Sequence, residues 1–165
     1  MTPAEERRAL LEKASKKVFD ELVDIQTQLK NFESPKLNDD YDKIHMQMLF
    51  LTSTELELSY VYRAALEIKH EIEVSRARAK SVLDDAQMEA VNKPTFKTPH
   101  SYSSRPETEG KLRSLTFEQT YEVTHWDRLM TDAQYLLDVI KSYQMDVNKQ
   151  RRDVDTRLKI LSFKL

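Results

Sequence analysis

Between Ile44 and Ala86 apolar residues return every three or four positions: Ile44, Met48, Leu51, Leu58, Tyr62, Ala65, Ile68, Ile72, Ala79, Val82 and Ala86. That spacing keeps one face of an α-helix apolar for about six heptads, the pattern of a coiled-coil seam. It predicts a long helix over residues 40–91, with Asn38, Asp39 and Asp40 offering N-caps. A kink is expected at Thr52-Ser53-Thr54, where Thr52 and Glu55 have capping-box spacing. A shorter stripe, Leu10, Leu11, Ala14, Val18, Leu22, Ile25 and Leu29, predicts a first helix over 3–31, opened by Thr2 as N-cap and Pro3 at the first helical position. A third stripe, Trp126, Leu129, Ala133, Leu136, Ile140, Tyr143, Val147, Val154 and Leu161, predicts a last helix over 116–161, with Thr116 and Gln119 as a capping pair. Gln150 and Arg157 interrupt this seam, as polar residues that set register or oligomer state do.

The punctuation of the chain lies almost entirely between the second and last stripes. The 165 residues contain one glycine, Gly110, and three of the five prolines are Pro94, Pro99 and Pro106. Residues 92–106 therefore read as a linker, and Pro106 opens a short helix over 107–114. The resulting expectation is a single all-α domain over 1–165, in which two long helices fold back as an antiparallel hairpin beside an N-terminal helix. Met130, Leu137, Leu83 and Val61 form second stripes beside the main ones, and a thin hairpin cannot cover them all. The expected outcome is a homo-oligomer whose subunits meet along Trp126, Leu129, Leu136, Ile140, Val147, Val154 and Leu161.

Composition agrees with extended helices rather than a thick core: 39% of residues are apolar, 33% are charged, and mean hydropathy is −0.67. The absence of cysteine excludes disulfides, thiolate nucleophiles and Cys-ligated metals, and suits a reducing cytoplasm. The most apolar short run, Met46 to Leu51, is far below the ~20 residues that span a bilayer. A soluble intracellular protein without membrane contact is expected. Net charge is −2 but polarised: Met1 to Tyr60 carries 8 Lys/Arg against 12 Asp/Glu, and Lys141 to Leu165 carries 7 Lys/Arg against 3 Asp.

Two Glu-x-x-His pairs, Glu67/His70 and Glu122/His125, have the spacing of a carboxylate-bridged di-iron site. Glu67 and His70 point away from the Ile68/Ile72 stripe, so surface charge is the better account and no metal is expected. His45 beside Met46 and Met48 reads as helix packing with a peripheral histidine. A chain with one glycine has no phosphate-cradling loop or dinucleotide fingerprint, and long solvated rods lack a concave pocket. Neither catalysis nor a cofactor is expected.

The remaining chemistry is basic. Arg76, Arg78 and Lys80 alternate with Ala77 and Ala79, small neighbours that let a phosphate backbone approach. Lys93, Lys97 and Arg105 follow in a linker with no acidic residue, then Lys111 and Arg113, while Phe96 and Tyr102 offer rings on which unpaired bases stack. Cations interleaved with aromatics are how sequence-tolerant single-strand binders work. Lys141 to Lys164, with Arg151-Arg152, forms a second basic tract. A solvated helix face and a loop, in a scaffolding protein of a virion or filament that touches no DNA, account for the same residues.

The long helix ending in Arg76-Ala77-Arg78, the basic Pro/Ser linker, and a final helix containing Tyr121, Trp126, Leu129, the run Leu136 to Ser142 and Arg151-Arg152 resemble the UvsY-type recombination mediator proteins of T-even and related phages. The likeness covers roughly residues 58–158; the acidic first helix is longer than the family pattern and the C-terminal ending differs. The resemblance implies a non-enzymatic accessory protein that forms a ring-like homo-oligomer and binds single-stranded DNA. It further implies help in loading a recombinase onto DNA covered by single-strand-binding protein, in the host cytoplasm for a phage-encoded chain. Carried over by position, Arg76 and Arg78 are its DNA contacts; Lys80 and the linker cations come from the charge pattern alone.

Overall fold

The computed structural model describes residues 2–36, 38–92 and 105–164, with backbone alone at 105–107 and 164. These residues are all-helical: α1 spans Pro3–Lys30, α2 Tyr41–Asn92, α3 Arg105–Leu115 and α4 Phe117–Lys164, with no strand among them. No described helix is long and apolar enough to cross a membrane.

The helix starts follow from local chemistry. Thr2 Oγ1 accepts the Glu5 N–H at 3.2 Å and Glu5 Oε2 accepts the Thr2 N–H at 3.0 Å, a reciprocal capping box that satisfies two otherwise orphaned donors. Asp40 Oδ1 accepts the Lys43 N–H at 2.8 Å and so caps α2. One residue earlier, Asp39 Oδ2 accepts the Lys36 N–H at 2.7 Å, and its Oδ1 accepts from Lys43 Nζ at 3.0 Å. The backbone bond from Lys36, reinforced by the Lys43 ammonium, holds the Asp39 carboxyl below its ordinary range; Lys43 is raised in turn by its bond to Asp39.

Two expected caps are absent. α2 runs unbroken through Thr52, whose Oγ1 donates to Met48 O at 2.9 Å instead of capping a helix start. Thr116 likewise donates its hydroxyl to Leu112 O at 2.8 Å rather than capping α4. The ladder continues through it, from Thr116 N to Leu112 O at 3.0 Å and from Thr120 N to Thr116 O at 2.9 Å. A hydroxyl inside a helix finds its acceptor one turn back, which removes the drive to break the helix.

The chain groups into two compact units, one made of Met1–Ile68 with Ala133–Leu165, the other of Lys69–Asp132. In the first, Leu11, Val18, Leu22 and Ile25 of α1 are buried together with Ile44, Leu51, Leu58, Val61 and Ala65 of α2 and Leu137, Ile140, Val147 and Val154 of α4. Lys141 Nζ lies 5.9 Å from the Tyr62 ring centroid, Arg151 pairs with Glu55, and Arg157 Nη2 donates to Lys36 O at 3.4 Å. Partner numbers thus fall on one segment as they rise on the other. At the α1 end, the Phe32 and Phe50 rings stack with centroids 5.6 Å apart, and Gln47 Nε2 donates to Glu33 O at 3.0 Å.

The buried positions differ from the expected stripes in detail. Leu10 and Val82 are exposed, whereas Thr54 and Ser75 are buried, and Val61 and Leu137 belong to the core rather than to second stripes. An α-helix of 3.6 residues per turn drifts about 20° per heptad against a strict seven-residue repeat, so a long seam wanders off its starting face. The seam assigned to subunit contacts is filled within the chain: Trp126, Ile140, Val147 and Val154 are buried, and Leu129, Leu136 and Leu161 are half-buried.

Candidate nucleic-acid interface

The second unit carries the basic segment. Among its described residues the buried set is small, comprising Ile72, Ser75, Ala90, Thr116 and Trp126. Trp126 Nε1 donates to Glu122 Oε1 at 3.0 Å, which satisfies the indole as it is buried.

Arg76, Arg78 and Lys80 all sit on α2, and helical geometry separates them. With about 100° per residue, Arg76 and Lys80 lie about 40° apart, whereas Arg78 lies about 200° round from Arg76. Alternation with alanine lines up cations on an extended strand; on a helix it places them on opposite flanks of the inward face defined by Ile72 and Ser75. Arg76 is half-buried and its Nε–H is ion-paired with Asp127 Oδ1 of α4. Arg78 and Lys80 are exposed, as are Lys111 and Arg113 on α3. The structure therefore leaves Lys80 and Arg78 more open to solvent than Arg76. Asp127 is the residue that the sequence pattern missed, since nothing in α2 signals which carboxylate of α4 will face it.

Lys93, Phe96, Lys97 and Tyr102, and the side chain of Arg105, lie outside the described residues.

Among the described residues the Glu-x-x-His pairs are not gathered into a metal-binding cluster. Glu67 and His70 are exposed, Glu122 is engaged by Trp126, and His125 packs edge-on against Tyr121 with centroids 4.5 Å apart. His45 stacks on Tyr41 at 6.0 Å. Among the described residues no group of three or more His, Asp or Glu is placed to hold a metal ion.

Comparison with known protein families, with curated proteins and with solved structures finds no match to this chain. The residues themselves carry the functional argument.

Proposed function

We propose that the protein is a non-enzymatic, single-stranded-DNA-binding accessory protein of the recombination-mediator kind, acting as a homo-oligomer alongside a recombinase and a single-strand-binding protein. The observation that carries this reading is the run from Lys93 to Arg105, in which Lys93, Lys97 and Arg105 occur with Phe96 and Tyr102 and without one acidic residue. The exposed cations Arg78, Lys80 and Arg113 flank that run in the chain. Phosphate neutralisation supplies affinity, and ring stacking on unpaired bases supplies the preference for single strands. In this reading α2 and α4 form an antiparallel hairpin.

The test is a titration with single- and double-stranded oligonucleotides at two salt concentrations. Affinity for single strands should fall steeply with salt, by about 0.7 in log–log slope for each phosphate contact. Loss of the steep dependence in a Lys93→Ala/Lys97→Ala/Arg105→Ala variant, with helicity unchanged, would assign the contacts to the linker.

A second reading is a helical assembly protein that touches no DNA. The Arg76–Asp127 pair favours it, because it neutralises the best-matched cation of the mediator resemblance. Parent protein that binds no oligonucleotide at low salt would establish this reading and end the first.

A further inference from the structure

In the first unit α2 is apolar on two opposite faces. Its inward face, marked by Leu51, Leu58 and Ala65, is buried. About 150° away, by the same 100° per residue, Met46, Leu49, Leu56 and Tyr60 remain 64%, 51%, 56% and 61% exposed. With Ser53 between them, these positions follow one another at intervals of three, four, three and four residues. That 3-4 alternation matches the knobs-into-holes seam of a second helix and no flat or extended partner. A helix in water that is apolar on opposite faces is sandwiched between neighbours, and here α1 and α4 bury the inward face of α2 while the Met46-to-Tyr60 stripe stays exposed.

The charges at the two ends of this stripe choose the occupant. Asp42 stands before Met46 and Arg63 follows Tyr60, and both are exposed. A parallel copy would set Asp42 against Asp42 and Arg63 against Arg63. An antiparallel copy sets Asp42 of each chain against Arg63 of the other, and in that same register Leu49 meets Leu56 and Met46 comes within one residue of Tyr60. The face is self-complementary about a two-fold axis beside Ser53, the arrangement of an isologous dimer. We infer that the Met46-Leu49-Leu56-Tyr60 face of α2 docks antiparallel on the same face of a second copy of this chain. The inference stands apart from DNA binding, and it puts a contact between subunits on α2 rather than on the α4 seam.

Light scattering across a dilution series, on the full chain, tests it. Leu49→Glu/Leu56→Glu should lower the assembled mass and weaken association by about a hundredfold or more, since it removes two buried leucines from each copy. Circular dichroism should be unchanged, because both positions are exposed in the single chain. Asp42→Arg and Arg63→Asp should each weaken association, and the two together should restore it. The absence of native cysteine gives an independent readout. Ser53→Cys, beside the axis, should oxidise to a covalent dimer, whereas Glu67→Cys, whose mate in the proposed pair lies about 40 Å away, should not. Parent protein that stays monomeric at every concentration, an assembled mass unmoved by Leu49→Glu/Leu56→Glu, or a covalent dimer formed equally by both cysteine variants would overturn the proposal. Failure of the charge exchange to restore association would overturn the antiparallel pairing.

Discussion

Arg76 of α2 and Asp127 of α4, 51 positions apart in sequence, form an ion pair in the second unit. The pair joins two consequences. Both side chains are about half exposed, at 44% and 51%, so the contact stabilises the fold by only about 0.2–1 kcal/mol. It also spends a cation that the mediator resemblance would place on DNA. Asp127→Ala should therefore leave thermal stability nearly unchanged while it tightens binding to single-stranded DNA and steepens the salt dependence by about 0.7. Arg76→Ala should change the slope less than Lys80→Ala does. A titration at several salt concentrations checks both expectations.

Arg151 and Glu55 form the corresponding pair in the first unit, 96 positions apart, but with less exposure, at 37% and 34%. Arg151 Nε is buried without a hydrogen-bond partner, so the guanidinium depends on its carboxylate. Glu55→Ala should cost about 1–2 kcal/mol, between the values typical of exposed and buried pairs. Glu55→Ala/Arg151→Met should recover most of that loss, because the unpaired buried donor goes as well. A double-mutant cycle by denaturant unfolding measures the coupling.

The loop before α2 should respond to acid. Asp39 is held below its ordinary range first by the Lys36 backbone N–H and then by Lys43. A carboxyl lowered in the folded state contributes stability above its unfolded value, and that contribution is lost as pH falls through the lower folded value. Lys43, raised by Asp39, contributes below its own unfolded value and loses that contribution only as pH rises through the raised one. Near neutrality the pair should therefore be insensitive to pH. Below about pH 4, the protection of the amides at Lys36 and in the first turn of α2, relative to their intrinsic exchange rates, should fall. In Asp39→Asn this acid-induced loss of protection should be absent.

The all-helical class was legible because its signals are local. One glycine, clustered prolines and sustained three-four spacing leave no room for strands, and the capping box at Thr2 and Glu5 is complete within four consecutive residues. What depends on two helices meeting was not legible. The buried partner of each apolar residue, the carboxylates Asp127 and Glu55, and the choice of Val61 over Val82 as core all follow from the register between helices. Thr54 was missed as core for a different reason: its hydroxyl donates to Phe50 O at 2.9 Å, so the helix supplies the partner that makes burial inexpensive. At the candidate site, alternating Arg76, Arg78 and Lys80 looked like one cluster in one dimension, and the turn of the helix takes Arg78 to the other flank.

The α4 seam gives the last prediction. Residues from Val147 onward match a subunit contact by sequence pattern, and removing Val147 to Leu165 would then yield a smaller assembly that keeps its helicity. Burial argues otherwise: Ile140, Val147 and Val154 have no exposed surface in the single chain and help fill the core of the first unit. Ile140→Ala should cost about 2–5 kcal/mol through lost transfer energy and the cavity left behind, and Ile140→Val about 0.5–1.5 kcal/mol. For a chain of this length that corresponds to a fall in Tm of about 2–4 °C per kcal/mol. Deleting 147–165 should therefore remove helicity from α1 and the start of α2 as well as from α4, because Leu22, Ile25, Ile44 and Leu51 share that buried unit. Circular dichroism of the truncated chain decides the matter. Helicity reduced only by the residues removed, together with a smaller assembled mass, would return the seam to the subunit interface; a wider loss of helicity would make it the core of one chain.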